Sequence, residues 1–178
     1  MNKAFASTCI SGEGKGILHA GEKKHSFRFA TRSDMNSWIL GISLPLLGEE
    51  ILQLDYSPFQ ASGGIYEYLQ SQMTKKQVSP VLLDQKLQAL AQFLGTWQKV
   101  RSGAVSCAGG ADGAKIIGKC QQVQFKLAAD TLEFSRQIAG DVLTANFSQY
   151  NGSYFESLEM KVGDAHPFAL NLKYAQCH

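Results

Sequence analysis

The stretch Asn36 to Ser57, NSWILGISLPLLGEEILQLDYS, restricts the fold more than any other part of the chain. Trp38, Leu40, Ile42 and Leu44 recur at every second position, and Leu52, Leu54 and Tyr56 do so again after a reversal. An extended chain turns successive side chains to opposite faces, so this spacing describes two half-buried antiparallel strands. The reversal, Pro45-Leu46-Leu47-Gly48, has the proline and glycine of a turn but two leucines where polar residues are expected. Exposed, Leu46 and Leu47 would form an apolar tip able to contact a membrane or a partner. The alternative has them folded back beneath a neighbouring loop.

The rest of the chain extends the pattern. Gly12, Gly14 and Gly16 leave one face of a first strand bare, which permits strong twist or close packing. Lys23 to Thr31 places Phe27 and Phe29 on one face, and Gly64 to Leu69, with Tyr66 and Tyr68 alternating, predicts a fifth strand. Pro80 then stands where a helix can start. Leu83, Leu87, Leu90, Leu94 and Trp97 follow at steps of four and three residues, the stripe of an amphipathic helix over 81–97. Residues 101–115 are small and glycine-rich and predict an ordered loop. Beyond them Val123, Phe125 and Leu127 alternate, as do Leu132 and Phe134, Leu143 to Phe147, Leu158 to Val162 and Phe168 to Tyr174, with Asn151-Gly152 as a hairpin turn.

Five strands, a helix and about five further strands joined by short turns predict a mainly β (α+β) fold. The expected form is a strongly curved antiparallel sheet, or incomplete β-barrel, with one main helix covering the concave face. A chain of 178 residues makes one domain, 1–178, in which residues 1–10 read as an N-terminal tail.

Charge and cysteine usage narrow the function. Acids and bases are interleaved with a net charge of +2, so the basic face that nucleic acid requires is not expected. Cys9, Cys107, Cys120 and Cys177 form no C-x-x-C pair and no histidine stands at zinc-finger spacing, so neither a metal nor a cofactor is expected. Of three possible pairings, Cys107–Cys120 would clip the glycine-rich loop and Cys9–Cys177 would tie the termini, and this set is favoured. Oxidised cysteines imply an extracytoplasmic protein; the alternative is four reduced thiols in the cytosol. Met1 to Thr8 lacks the apolar core of a secretory leader, so Met1 reads as a start placed on a mature chain.

A glycine-rich first strand, the aromatic strand HSFRF, then WILGISLPLLGEEILQLDY and the closing LTANFSQY, YFESLEMKV and HPFALNLKY together resemble the LolA/LolB lipoprotein-localisation factors of Gram-negative bacteria. The resemblance runs from about Gly12 to Tyr174. It implies an incomplete antiparallel barrel with helices over a hydrophobic cavity. It also implies a periplasmic or outer-membrane-associated protein, and gives Leu46 and Leu47 the place of the turn leucine that hands lipoprotein to the membrane. The family's helical region is usually longer and more divided, and disulfides at these positions are not part of its pattern.

The expected function is therefore to hold acyl chains or a lipoprotein in an apolar cavity, with possible peripheral membrane contact. Phe27, Phe29, Trp38, Leu40, Ile42, Leu87, Leu90 and Leu94 are the candidate liners, set against plain core packing. An envelope protein interaction module is the alternative. An enzyme on the same fold is the third reading, but His19, His25, His166 and His178 are scattered and no G-x-S-x-G elbow occurs, so no catalytic residue is assigned.

Overall fold

A computed structural model describes residues 2–20, 23–44, 48–75, 79–138, 141–163 and 168–178. The chain runs α1 (Asn2–Ala6), β1 (Gly12–Ala20), β2 (Lys23–Ser33), β3 (Ser37–Leu44), β4 (Gly48–Tyr56), β5 (Phe59–Ser62), α2 (Gly64–Lys75) and α3 (Pro80–Arg101). It continues through β6 (Ala108–Asp112), β7 (Lys115–Cys120), β8 (Val123–Leu127), β9 (Leu132–Ile138), β10 (Asp141–Tyr150), β11 (Phe155–Val162) and β12 (Phe168–Cys177). All twelve strands form one antiparallel sheet, ordered β5-β4-β3-β2-β1-β12-β11-β10-β9-β8-β7-β6. The first and last strands of the chain thus pair in its middle, and β5 and β6 are its two open edges. The sheet does not close into a barrel.

It is nonetheless strongly curved, as two contacts of the N-terminal segment require. The Trp38 indole on β3 donates to the Ile10 carbonyl at 3.1 Å, and the Phe5 ring stands edge-on to Phe125 on β8, 5.0 Å away. In a flat sheet, β3 and β8 lie seven strand spacings apart, about 34 Å. Residues 5–10 reach no more than about 18 Å even when fully extended. The Trp38 and Phe125 side chains stand off one face of the sheet and add little lateral reach, so the sheet curls around the segment.

The helix α3 fills the same face. Ser79 caps it by accepting from the Val81 N–H, Pro80 begins it, and Lys99 and Arg101 lie in its last turn, where cations complement the exposed carbonyls. It passes straight through Gly95, a residue whose type often ends a helix. Here a Cβ would lie 2.9 Å from the Tyr56 ring, so glycine lets α3 settle against β4.

Four sequence expectations change. Gly64 to Leu69 begins α2, not a fifth strand, and β5 is Phe59–Ser62. Over a longer window Ile65, Leu69 and Met73 pack at helical spacing, and this outweighs the two-residue alternation of Tyr66 and Tyr68. Residues 101–115 are no continuous loop, because Arg101 ends α3 and Ala108–Asp112 pairs with β7. The described part of the expected tail, residues 2–10, is no tail: Phe5, Cys9 and Ile10 are core residues. Seven strands follow the main helix, not five.

Candidate functional site

The candidate site is the apolar interior between the curled sheet and α3. Its wall is built around the bare face of β1. A Cβ at Gly14 would collide with the Lys173 backbone, and one at Gly16 with the Phe27 ring. Gly14 pairs with Phe29 on one side and Tyr174 on the other. With no side chain between them, these two rings meet edge-to-face at 5.1 Å. Phe27 stacks next along β2, 6.5 Å from Phe29.

All eight candidate liners lie in this interior. Phe27 and Phe29 come from β2, Trp38, Leu40 and Ile42 from β3, and Leu87, Leu90 and Leu94 from α3; none is more than 7% exposed. Leu46 and Leu47 lie outside the described residues; the strands they join, β3 and β4, pair with Leu44 opposite Gly48.

The opposite half of the interior is aromatic, and sequence reasoning did not assign it to the site. Trp97 lies 4.0 Å from Phe134, and Phe5, Phe93, Phe125 and Phe147 complete the cluster. The N-terminal segment closes this part from below. Thr8 accepts from the Trp97 indole at 3.0 Å, the Phe155 N–H donates to the Ser7 carbonyl at 3.0 Å, and Cys9 is bonded to Cys177 at the end of β12. The signal was present in the sequence: a cysteine tied to the far end of the chain cannot belong to a loose tail. The second disulfide joins Cys107 to Cys120, so both bonds follow the favoured pairing.

The interior therefore has distinct ends. The closed end holds residues 5–11, the start of β3, the end of β12 and the last turn of α3. At the other end β1, β3, β9 and β11 finish and β2, β4, β10 and β12 begin.

Polar groups gather at the closed end. Tyr174 is fully buried beside Thr31, whose hydroxyl lies 3.4 Å from its own, and burial pushes the Tyr174 hydroxyl well above the ordinary tyrosine range. Arg101, at the end of α3, has its pKa lowered by burial, an effect the nearby Tyr174 opposes. It borders a cleft of about 520 Å³ shared with Phe5, Val100, Val105 and Cys107. Burial likewise pushes the Tyr56 hydroxyl up to about 12, against the opposing hydrogen bond with Ser33 at 3.0 Å. Asp34, which accepts from the N–H groups of Asn36 and Ser37 at the start of β3, is held below the usual carboxylate range by them.

None of this is an acid–base or nucleophilic constellation, and among the described residues no three His, Cys, Asp or Glu side chains are grouped to hold a metal. No described helix is long and apolar enough to cross a membrane. No protein-family model and no curated protein matches the sequence. The two disulfides fit a non-reducing, extracytoplasmic environment.

Proposed function

We propose that the protein is a LolA/LolB-like carrier of the periplasm or outer membrane, holding an acyl chain or a lipoprotein's lipid tail in its apolar interior. One observation carries the reading. The interior is closed at one end by the chain's own N-terminal segment, and β3 ends and β4 begins at the other. A guest enters at the turn end and lies along Phe27, Phe29, Ile42 and the α3 leucines, which offer it apolar surface. Transfer from water of each buried methylene contributes about 0.8 kcal/mol. Leu46 and Leu47 contact the donor or acceptor membrane while the chain passes.

Both tryptophans of the protein, Trp38 and Trp97, face this interior, which makes entry measurable. Titration with a dansyl-labelled fatty acid is expected to give saturable energy transfer from tryptophan, competed by unlabelled fatty acid. Signal that never saturates, or that unlabelled fatty acid leaves unchanged, rejects the reading. Leu47→Glu is expected to leave thermal stability and fatty-acid binding unchanged while abolishing binding to liposomes.

The interaction-module reading keeps one observation in its favour, the exposed edge strand β6.

A further inference from the structure

The edge at β6 has a structure the monomer does not use. All five residues, Ala108-Gly109-Gly110-Ala111-Asp112, are exposed, and among the described residues the strand pairs only with β7. Among the described residues no lysine, proline or bulge interrupts it and no helix packs along it, and Asp112 is its one charge. The Cys107–Cys120 bond at the open end of the β6–β7 hairpin holds the edge extended and ready to pair.

The glycines divide into two kinds. Gly109 and Gly118 are bare because the Phe125 ring lies over both, where a Cβ would stand. A Cβ at Gly110 would meet nothing within 4 Å, so packing in the monomer does not account for its missing side chain. A bare position of this kind leaves room for another backbone to come close.

We propose that β6 pairs antiparallel with β6 of a second copy, centred on Gly110 opposite Gly110, joining two sheets into one. The charges select this occupant and this register. Lys119 pairs with Ala108 and Lys115 with Asp112 on the outer face. With the glycines opposed, Ala108 of one copy faces Asp112 of the other. That aspartate then lies between its own Lys115 and, across the small Ala108, the Lys119 of the first copy. The two-fold axis repeats the contact, so the edge complements itself. On the inner face Gly109 meets Ala111 of the second copy, and the row from Phe125 continues to the second copy's Ile116. Because the register is symmetric about one residue, the outward N–H and C=O groups find partners whichever alternate residues carry them. Five residue pairs make a small interface, so the dimer belongs to the weak class. The inference stands apart from the lipid-binding reading.

Sedimentation equilibrium of the intact oxidised protein, from micromolar to millimolar, tests it. A concentration-dependent dimer is expected, and Gly110→Pro should abolish it. Because proline at this position can disturb the hairpin itself, charge reversal gives a second handle. Asp112→Lys should weaken the dimer about tenfold, two repeated ion pairs being lost, and adding Lys119→Glu should restore it. A monomer at every concentration overturns the proposal. So does a dimer indifferent to Asp112→Lys, or one that the double substitution fails to restore.

Discussion

The two edges of this sheet face opposite problems and solve them differently. At β5 the strand is four residues long, its Phe59 and Ala61 pack against the core, and α2 and α3 lie against it. At β6 the strand is fully exposed and carries almost no side chain. One edge is covered by apolar packing, and the other is held straight by a disulfide. Helices follow β5 directly in the chain, so the covering is supplied on the spot; nothing comparable follows β6. Apolar packing therefore runs out to the last strand on the β5 side and stops short of the last strand on the β6 side.

Positions beside the two edges, one facing the interior and one facing outward, test this contrast. Leu54 pairs with Ala61 of β5 and is wholly buried. Leu54→Ala should cost about 2–5 kcal/mol, the range for a buried leucine whose cavity cannot collapse, read as a shift of the urea midpoint. A loss below about 1 kcal/mol would show that the packing beside β5 is loose.

The covered side should also respond to alkali. Tyr56 rests on Gly95 of α3, and its hydroxyl ionises near 12 in the folded protein, against 10.0 for an unperturbed tyrosine. A group whose folded pKa is raised stabilises fully below its unfolded value and loses that contribution as pH climbs to the folded one. Stability should therefore hold to about pH 10 and fall towards pH 12. Tyr56→Phe should make that fall shallower, though not remove it, because Tyr174 is raised as well. Melting temperatures followed across this range decide it; an unchanged alkaline slope in Tyr56→Phe would assign the loss elsewhere.

The smallest effect belongs to the bare edge. Ile117 pairs with Gly110 of β6 and is 44% exposed. Ile117→Ala should change monomer stability by no more than about 0.5 kcal/mol. A larger loss, measured at micromolar concentration, would mean that the hairpin supports the core.

Much of the sheet was legible because most of its strands bury one face. Trp38, Leu40, Ile42, Leu52 and Leu54 all point inward as their alternation predicts, and so do Phe125, Phe134, Phe147, Leu158 and Met160. β6 was not legible, since Ala-Gly-Gly-Ala-Asp buries nothing and pairs only because the hairpin brings it beside β7. Nor was α2, where six residues with two alternating tyrosines imitate a strand. The interior itself was half legible. Its β2–β3 wall and the α3 leucines followed from periodicity, but the contribution of Phe5, Thr8 and Ile10 did not. A segment of nine residues is too short for either period to register, and it is fixed by contacts with strands at opposite sides of the curl.

The proposed occupant of the interior is an acyl chain. Native mass spectrometry of the protein purified from a Gram-negative envelope, without detergent, tests it most directly. The expected result is a species heavier than the polypeptide by one acyl-bearing molecule, which organic solvent removes and added fatty acid restores. The polypeptide mass alone, unchanged after incubation with fatty acid, would contradict it.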